Sequence, residues 1–144
     1  MPDTIRKLIL ENIKAKLEEV SAIETVLLNE FDIRKLETVA TPAVFLYPDT
    51  NDTVERGSRF EEWTLPLIIE LWGHNIEIEN IMGEIHKAMT QDSTHGGYAN
   101  TTERLGGTEI MNYLVQDESY TGFTMHFRVV YEHVLNDPFS QEED

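Results

Sequence analysis

The chain reads as an α+β (α/β) domain: a mostly antiparallel or mixed β-sheet with two amphipathic helices packed on one face, and a long hairpin loop. Three observations predict it. From Thr121 to Val134 the side chains alternate, with Phe123, Met125, Phe127, Val129 and Tyr131 on one side and Thr124, His126, Arg128, Val130 and Glu132 on the other, the period of a strand with one buried face. Phe60 to Trp72 repeats the pattern, Trp63, Leu65, Leu67, Ile69 and Leu71 opposing Thr64, Pro66, Ile68, Glu70 and Trp72. Two other stretches, Pro2 to Glu19 and Asn75 to Thr90, carry apolar residues at helical spacing.

In chain order, the first helix has Asp3 or Thr4 as its cap and Ile5, Leu8, Ile9, Ile13 and Leu17 as its stripe. Ile23 to Asn29 is expected as a strand. Asp32 can cap a short helical turn through Leu36 before Pro42 resets the chain. Ala43 to Tyr47 is a short apolar strand. Thr50 to Ser58, polar and containing Gly57, reads as a loop or hairpin tip. Pro66 has no N–H for a ladder bond, so the strand from Phe60 to Trp72 is expected at an edge or a bulge. Ile68 and Trp72 on its second face then need cover, from the chain itself or from a neighbouring subunit. Ile78, Ile81, Met82, Ile85 and Met89 stripe the second helix. A Ser-, Thr- and Gly-rich loop follows from Asp92 to Asn100, then a strand from Glu109 to Val115, a turn from Gln116 to Thr121, and the last strand.

The length, 144 residues, suits one domain, placed at 1–137, with 138–144 a short acidic tail expected to fray. With no cysteine, disulfides and thiolate metal sites are excluded. Met1 to Arg6 opens a helix and does not resemble a signal peptide, and no apolar run spans a bilayer, so the protein is expected in the cytoplasm and off the membrane. The charge says more. Residues 73–144 hold 3 basic against 13 acidic groups, within a formal net of −16, and such a half has no cationic stripe for phosphates.

Chemistry finds little support. His126 and Glu132 share a strand face but sit roughly 20 Å apart. His133 lies on the opposite face, and His86 has no His or carboxylate at four-residue spacing. Asp92-Ser93-Thr94-His95 places Ser and His in one loop, where adjacent residues rarely converge on a reacting atom; it reads as helix-terminating loop chemistry. Asp49 to Asp52 lacks the Gly and Glu of a calcium loop. Gly96-Gly97 and Gly106-Gly107 lack a phosphate loop's third glycine or lysine and read as turns. No catalytic, metal or cofactor-binding residue is nominated, no cofactor is expected, and an enzyme is not expected.

With the order of elements in place, the chain resembles the tail terminator (tail completion) proteins of long-tailed bacteriophages. The resemblance rests on the helix Ile5 to Leu17, the strand Val26 to Leu28, and the segment Thr41-Pro42-Ala43-Val44-Phe45-Leu46. It continues through the polar tip Asp49 to Arg59, the strand Phe60 to Trp72, and the helix Ile76 to Thr90 with its Gly-Gly loop. The closing Phe127-Arg128-Val129-Val130-Tyr131 with trailing Asp137-Pro138 completes it. The resemblance implies a structural virion protein at the head-proximal end of the tail, assembled in the host cytoplasm. Its partners would be itself, usually as a ring of six, the tail tube protein and a neck or head-completion protein, with DNA only passing through the bore. Pro66, Ile68 and Trp72 are the subunit-interface candidates. Glu55, Arg56 and Arg59 are the candidates for reaching a neighbour or the tube. Two other readings compete: another phage neck or head-completion adaptor, and a non-virion small-ligand or regulatory domain.

Overall fold

A computed structural model describes residues 3–49, 52–74, 78–115 and 117–142. The expected helix starts at Pro2 and Asn75, loop residues 50–51, turn residue Gln116 and the last two residues lie outside these. Within them the α+β class holds, as a mixed six-stranded sheet with two helices on one face. The elements are α1 (Ile5–Glu18), β1 (Thr25–Leu28), a 3-10 helix (Ile33–Glu37), β2 (Ala43–Pro48), β3 (Thr53–Arg56), β4 (Phe60–Gly73), α2 (Ile78–Gln91), β5 (Thr101–Val115) and β6 (Glu118–Val134).

The helix α1 and the 3-10 helix start on the caps their sequences offer. Thr4 Oγ1 accepts the Lys7 N–H at 3.1 Å, and Asp32 Oδ1 accepts the Arg34 N–H at 3.0 Å, each satisfying an N–H that the helix cannot. The sheet order is β1-β2-β4-β6-β5, with β3 paired to β4 below β2. β1 and β2 run parallel and the other pairs antiparallel. The period-2 faces predicted for β4 and β6 are the observed ones. Leu65, Leu67, Ile69 and Leu71 join Met125, Phe127 and Val129 under Ile9, Ile13 and Leu17 of α1 and Ile85 and Met89 of α2. This is the main core.

Several expectations change, among them the turn expected up to Thr121, since β6 already begins at Glu118. β4 is not an edge strand: it pairs with β6 along its whole length and with β2 and β3 on its other side. Pro66 fits because its carbonyl accepts the Asp49 N–H at 2.9 Å on the β2 side, and in a strand the N and C=O of one residue point the same way. The missing donor therefore faces the gap between the end of β2, at Pro48 opposite Leu67, and the start of β3, at Thr53 opposite Thr64, where no ladder bond is lost. Residues 53–56, read as loop, form β3, closed against β4 by the Gly57 N–H to Phe60 O bond of 2.8 Å. Gly106-Gly107 is not a turn. It lies inside β5 at the register shift between Leu105 and Glu109, where four steps along β5 match two along β6.

The C-terminal segment lies on the body: Pro138 O accepts the Ile5 N–H at 2.9 Å, and Gln141 Nε2 donates to Tyr98 O and Glu132 O at 2.6 and 2.9 Å.

Candidate assembly interface

Trp72 is 2% exposed and belongs to a second core, not to a surface. The 3-10 helix crosses the sheet face opposite α1 and α2. There Leu36 packs with Ala43, Phe45, Trp72 and Tyr120. Trp72 Nε1 donates to Glu70 Oε1 at 2.9 Å, and the Tyr47 hydroxyl donates to Glu70 Oε2. Burial and then that carboxylate push the Tyr47 pKa up. Of the two covers expected for Trp72, the chain itself supplies one, which removes it from the interface candidates. Ile68 and Pro66 are half-buried on the same face.

The β3–β4 hairpin carries Glu55, Arg56 and Arg59 as exposed residues. Arg56 is engaged within the chain: its Nε lies 3.2 Å from Oε1 of the buried Glu61. Glu61 Oε2 accepts the Asn136 N–H at 2.7 Å, and His133 Nδ1 stands 3.7 Å away. The Asn136 N–H, with help from Arg56 and against the cost of burial, holds the Glu61 carboxyl below the ordinary carboxylate range. The Leu135 N–H to Arg59 O bond of 2.8 Å ties the same hairpin to the C-terminal turn. Reversing Arg56 to Glu would set a second carboxylate beside a buried one. The expected result is a lower thermal unfolding midpoint, seen by circular dichroism, as well as any effect on a partner.

A surface that was not nominated stands at the far edge of the sheet. β5 pairs only with β6 among the described residues. On its outer half Met111 and Tyr113 pack toward the second core, while Ile110 and Leu114 are 64% and 65% exposed. One residue row crosses the whole sheet on the helix side: Val26, Val44, Leu71, Phe123, Ile110. β1 ends that row on one side and β5 on the other. β1 runs antiparallel to β4 and β5 runs parallel to it, so the terminal strands oppose each other in direction. The only sequence signal for this edge was the run Ile110 to Val115, apolar on both faces and without Lys or Pro, the composition of a strand that expects cover.

The Asp92–His95 segment closes α2 as a loop lock. Asp92 Oδ1 accepts from Thr94 Oγ1 and N at 2.7 and 3.2 Å, and Oδ2 accepts the Gly96 N–H at 3.0 Å. Those bonds, the Thr94 hydroxyl first, hold its carboxyl well below the ordinary range. His95, Gly96 and Gly97 have φ of 49°, 79° and 91°. The Thr102 hydroxyl donates to Ser93 O at 2.8 Å, so its oxygen accepts from His95 Nε2 at 2.6 Å. Nδ1 is left to accept from Lys16 Nζ at 3.0 Å. Burial, then the Lys16 charge, lower the His95 pKa from 6.5 to about 4.

Between those two values the unfolded chain holds the extra proton. The contribution of His95 to stability is therefore complete above pH 6.5 and lost as pH falls through 4. In His95→Asn, whose side chain tolerates a positive φ, urea denaturation is expected to show a shallower loss of stability between pH 6.5 and 4 than in the wild type. Equal slopes would contradict the neutral, acceptor role of Nδ1.

No group of three or more His, Asp or Glu that could hold a metal occurs among the described residues. None of their helices is long and apolar enough to cross a membrane. No protein-family model and no curated protein sequence matches the chain.

Proposed function

We propose that this chain is a ring-forming phage tail terminator, a structural protein whose copies close on the end of the tail tube, stop its polymerisation and offer a joining surface to the neck. The observation that carries the reading is the pair of unlike sheet ends. A copy displaced sideways brings its β1 beside β5, antiparallel, with Val26 continuing the row that ends in Ile110. Unlike ends meeting head to tail are what a closed ring requires. The exposed Ile110 and Leu114 would then lie on the helix side of a continuous sheet, covered by the neighbouring copy.

The acidic second half supports the same reading, since a bore lined by carboxylates repels passing DNA. The hairpin with Glu55 and Arg59 remains the contact proposed for the tube. The test is addition of the purified protein to polymerising tail-tube protein of the same phage, with tube length read by electron microscopy. Short, uniformly ended tubes are expected; tubes that grow as without it would overturn the reading.

A further inference from the structure

The strand β3 has one open side. It pairs only with β4 among the described residues, and its four residues, Thr53 to Arg56, are all exposed. The Gly57 N–H to Phe60 O bond closes its hairpin. Hydrogen-bonded and non-hydrogen-bonded pairs alternate outward from that bond. Glu55 with Glu62 and Thr53 with Thr64 therefore make the ladder bonds, while Val54 and Arg56 turn their N–H and C=O groups away from β4. No described backbone group bonds these. β1, the outer strand on this side of the sheet, stops at Leu28, level with Leu46 of β2, and does not reach β3. The edge is a template for one more strand.

Charge says which strand. Glu55, Glu62 and Glu132 are direct cross-strand neighbours on the face away from the helices, like charges whose alignment destabilises a sheet. Arg56 is drawn to Glu61 on the other face, and carboxylates outnumber arginines around the open hollow that Glu55, Glu62 and Glu132 share with Arg59. Spread along a row, they do not form a group that could hold a metal.

A strand added antiparallel beside β3 extends that row. Its residue opposite Glu55 falls in a non-hydrogen-bonded pair, where side chains approach most closely, so a Lys or Arg there meets the acidic row. The residues flanking it bond Val54 and Arg56, and the one beside the exposed Val54 lies on the helix side, in the row of Trp63, where an apolar side chain fits. A second copy does not supply such a segment, because all 11 Lys and Arg of the chain lie in formed helices and strands or in this hairpin. We propose that the β3 edge takes, as an added strand, an extended segment of another protein that alternates basic and apolar residues. This gives the chemistry of the partner at the hairpin, and rests on the terminator reading only in making that partner the tube protein.

A fluorescently labelled peptide, acetyl-Thr-Val-Lys-Val-Lys-Val-Thr-amide, tests the edge on the purified protein. Its anisotropy is expected to saturate with a Kd below about 1 mM, and the Val54 and Arg56 amides to gain protection from hydrogen exchange. Two altered peptides are expected to bind about tenfold more weakly or worse. One carries Glu for Lys; the other is N-methylated at its valines, which keeps the charge and removes the donors. Glu55→Lys, a change at an exposed residue whose fold circular dichroism checks, is expected to weaken the original peptide to the same extent. No saturation, equal binding of either altered peptide, or full affinity in Glu55→Lys would overturn the site. The tube assay separates this from the terminator reading. Normal capping by Glu55→Lys with peptide affinity lost would keep the site and move the tube contact elsewhere. Capping by the wild type with no peptide binding would remove the site and leave the reading.

Discussion

Trp72→Ala is expected to lower stability by about 3–5 kcal/mol, a large part of the roughly 5–15 kcal/mol that holds a domain together. The side chain is enclosed by its own chain, against Leu36, Phe45 and Tyr120, and its indole faces Gly122 across the β4–β6 ladder. That glycine is required by space. A Cβ there would stand 2.5 Å from Trp72 Cδ2, closer than any unstrained contact. Gly122→Ala should therefore cost about 1–3 kcal/mol in the wild type, and much less in the Trp72→Ala background, where the indole is gone. Urea titrations of the four proteins of this cycle measure both effects. Additive losses would show that the two positions do not meet. A Trp72→Ala protein with unchanged stability that had lost only self-association would return Trp72 to the subunit interface.

The second large effect falls on assembly and spares the fold. Ile110→Asp with Leu114→Asp is expected to leave the unfolding midpoint within a degree or two, because both side chains already face water. It should dissolve the proposed ring. Burying one such side chain contributes about 2 kcal/mol, so two lost from each joint weaken it by about 4 kcal/mol, roughly a thousandfold in affinity, before the desolvation of two carboxylates is counted. Sedimentation velocity on the double variant checks this. A ring that persists would move the joint elsewhere; a variant that unfolds would mean that Ile110 and Leu114 support the hairpin itself.

The fold was legible where the signal is local and periodic. β4 and β6 betray their buried faces because a strand's side chains alternate over a dozen residues or more, and α1 and the 3-10 helix because Thr4 and Asp32 stand where a free N–H needs an acceptor. What failed was knowledge of what lies alongside. Pro66 is incompatible with a ladder only on the side its nitrogen faces, and the gap between β2 and β3 on that side is made by residues distant in sequence. Trp72 looked stranded because its cover, Leu36, comes from a segment distant in sequence, whose place on the sheet no local pattern carries. Gly106-Gly107 read as a turn because a bulge within a long strand uses the same residue. The β5 edge escaped notice for the same cause: which strands end a sheet follows from topology, and a strand's own sequence does not carry it. Arg56, a candidate for reaching a neighbour or the tube, is held by its own chain instead, because Glu61 is buried where the strand meets the distant Asn136, a meeting that no local pattern carries.

The central claim is that copies of this chain close into a ring through the β1 and β5 ends of the sheet. Native mass spectrometry of the purified protein, over a concentration series, alone and mixed with tail tubes, tests it most directly. The account predicts one discrete closed oligomer, of six copies on the family resemblance, in the free protein or on the tubes, and its loss in the Ile110→Asp, Leu114→Asp variant. A single-copy species under every condition, or a dimer that the double variant leaves intact, would contradict it.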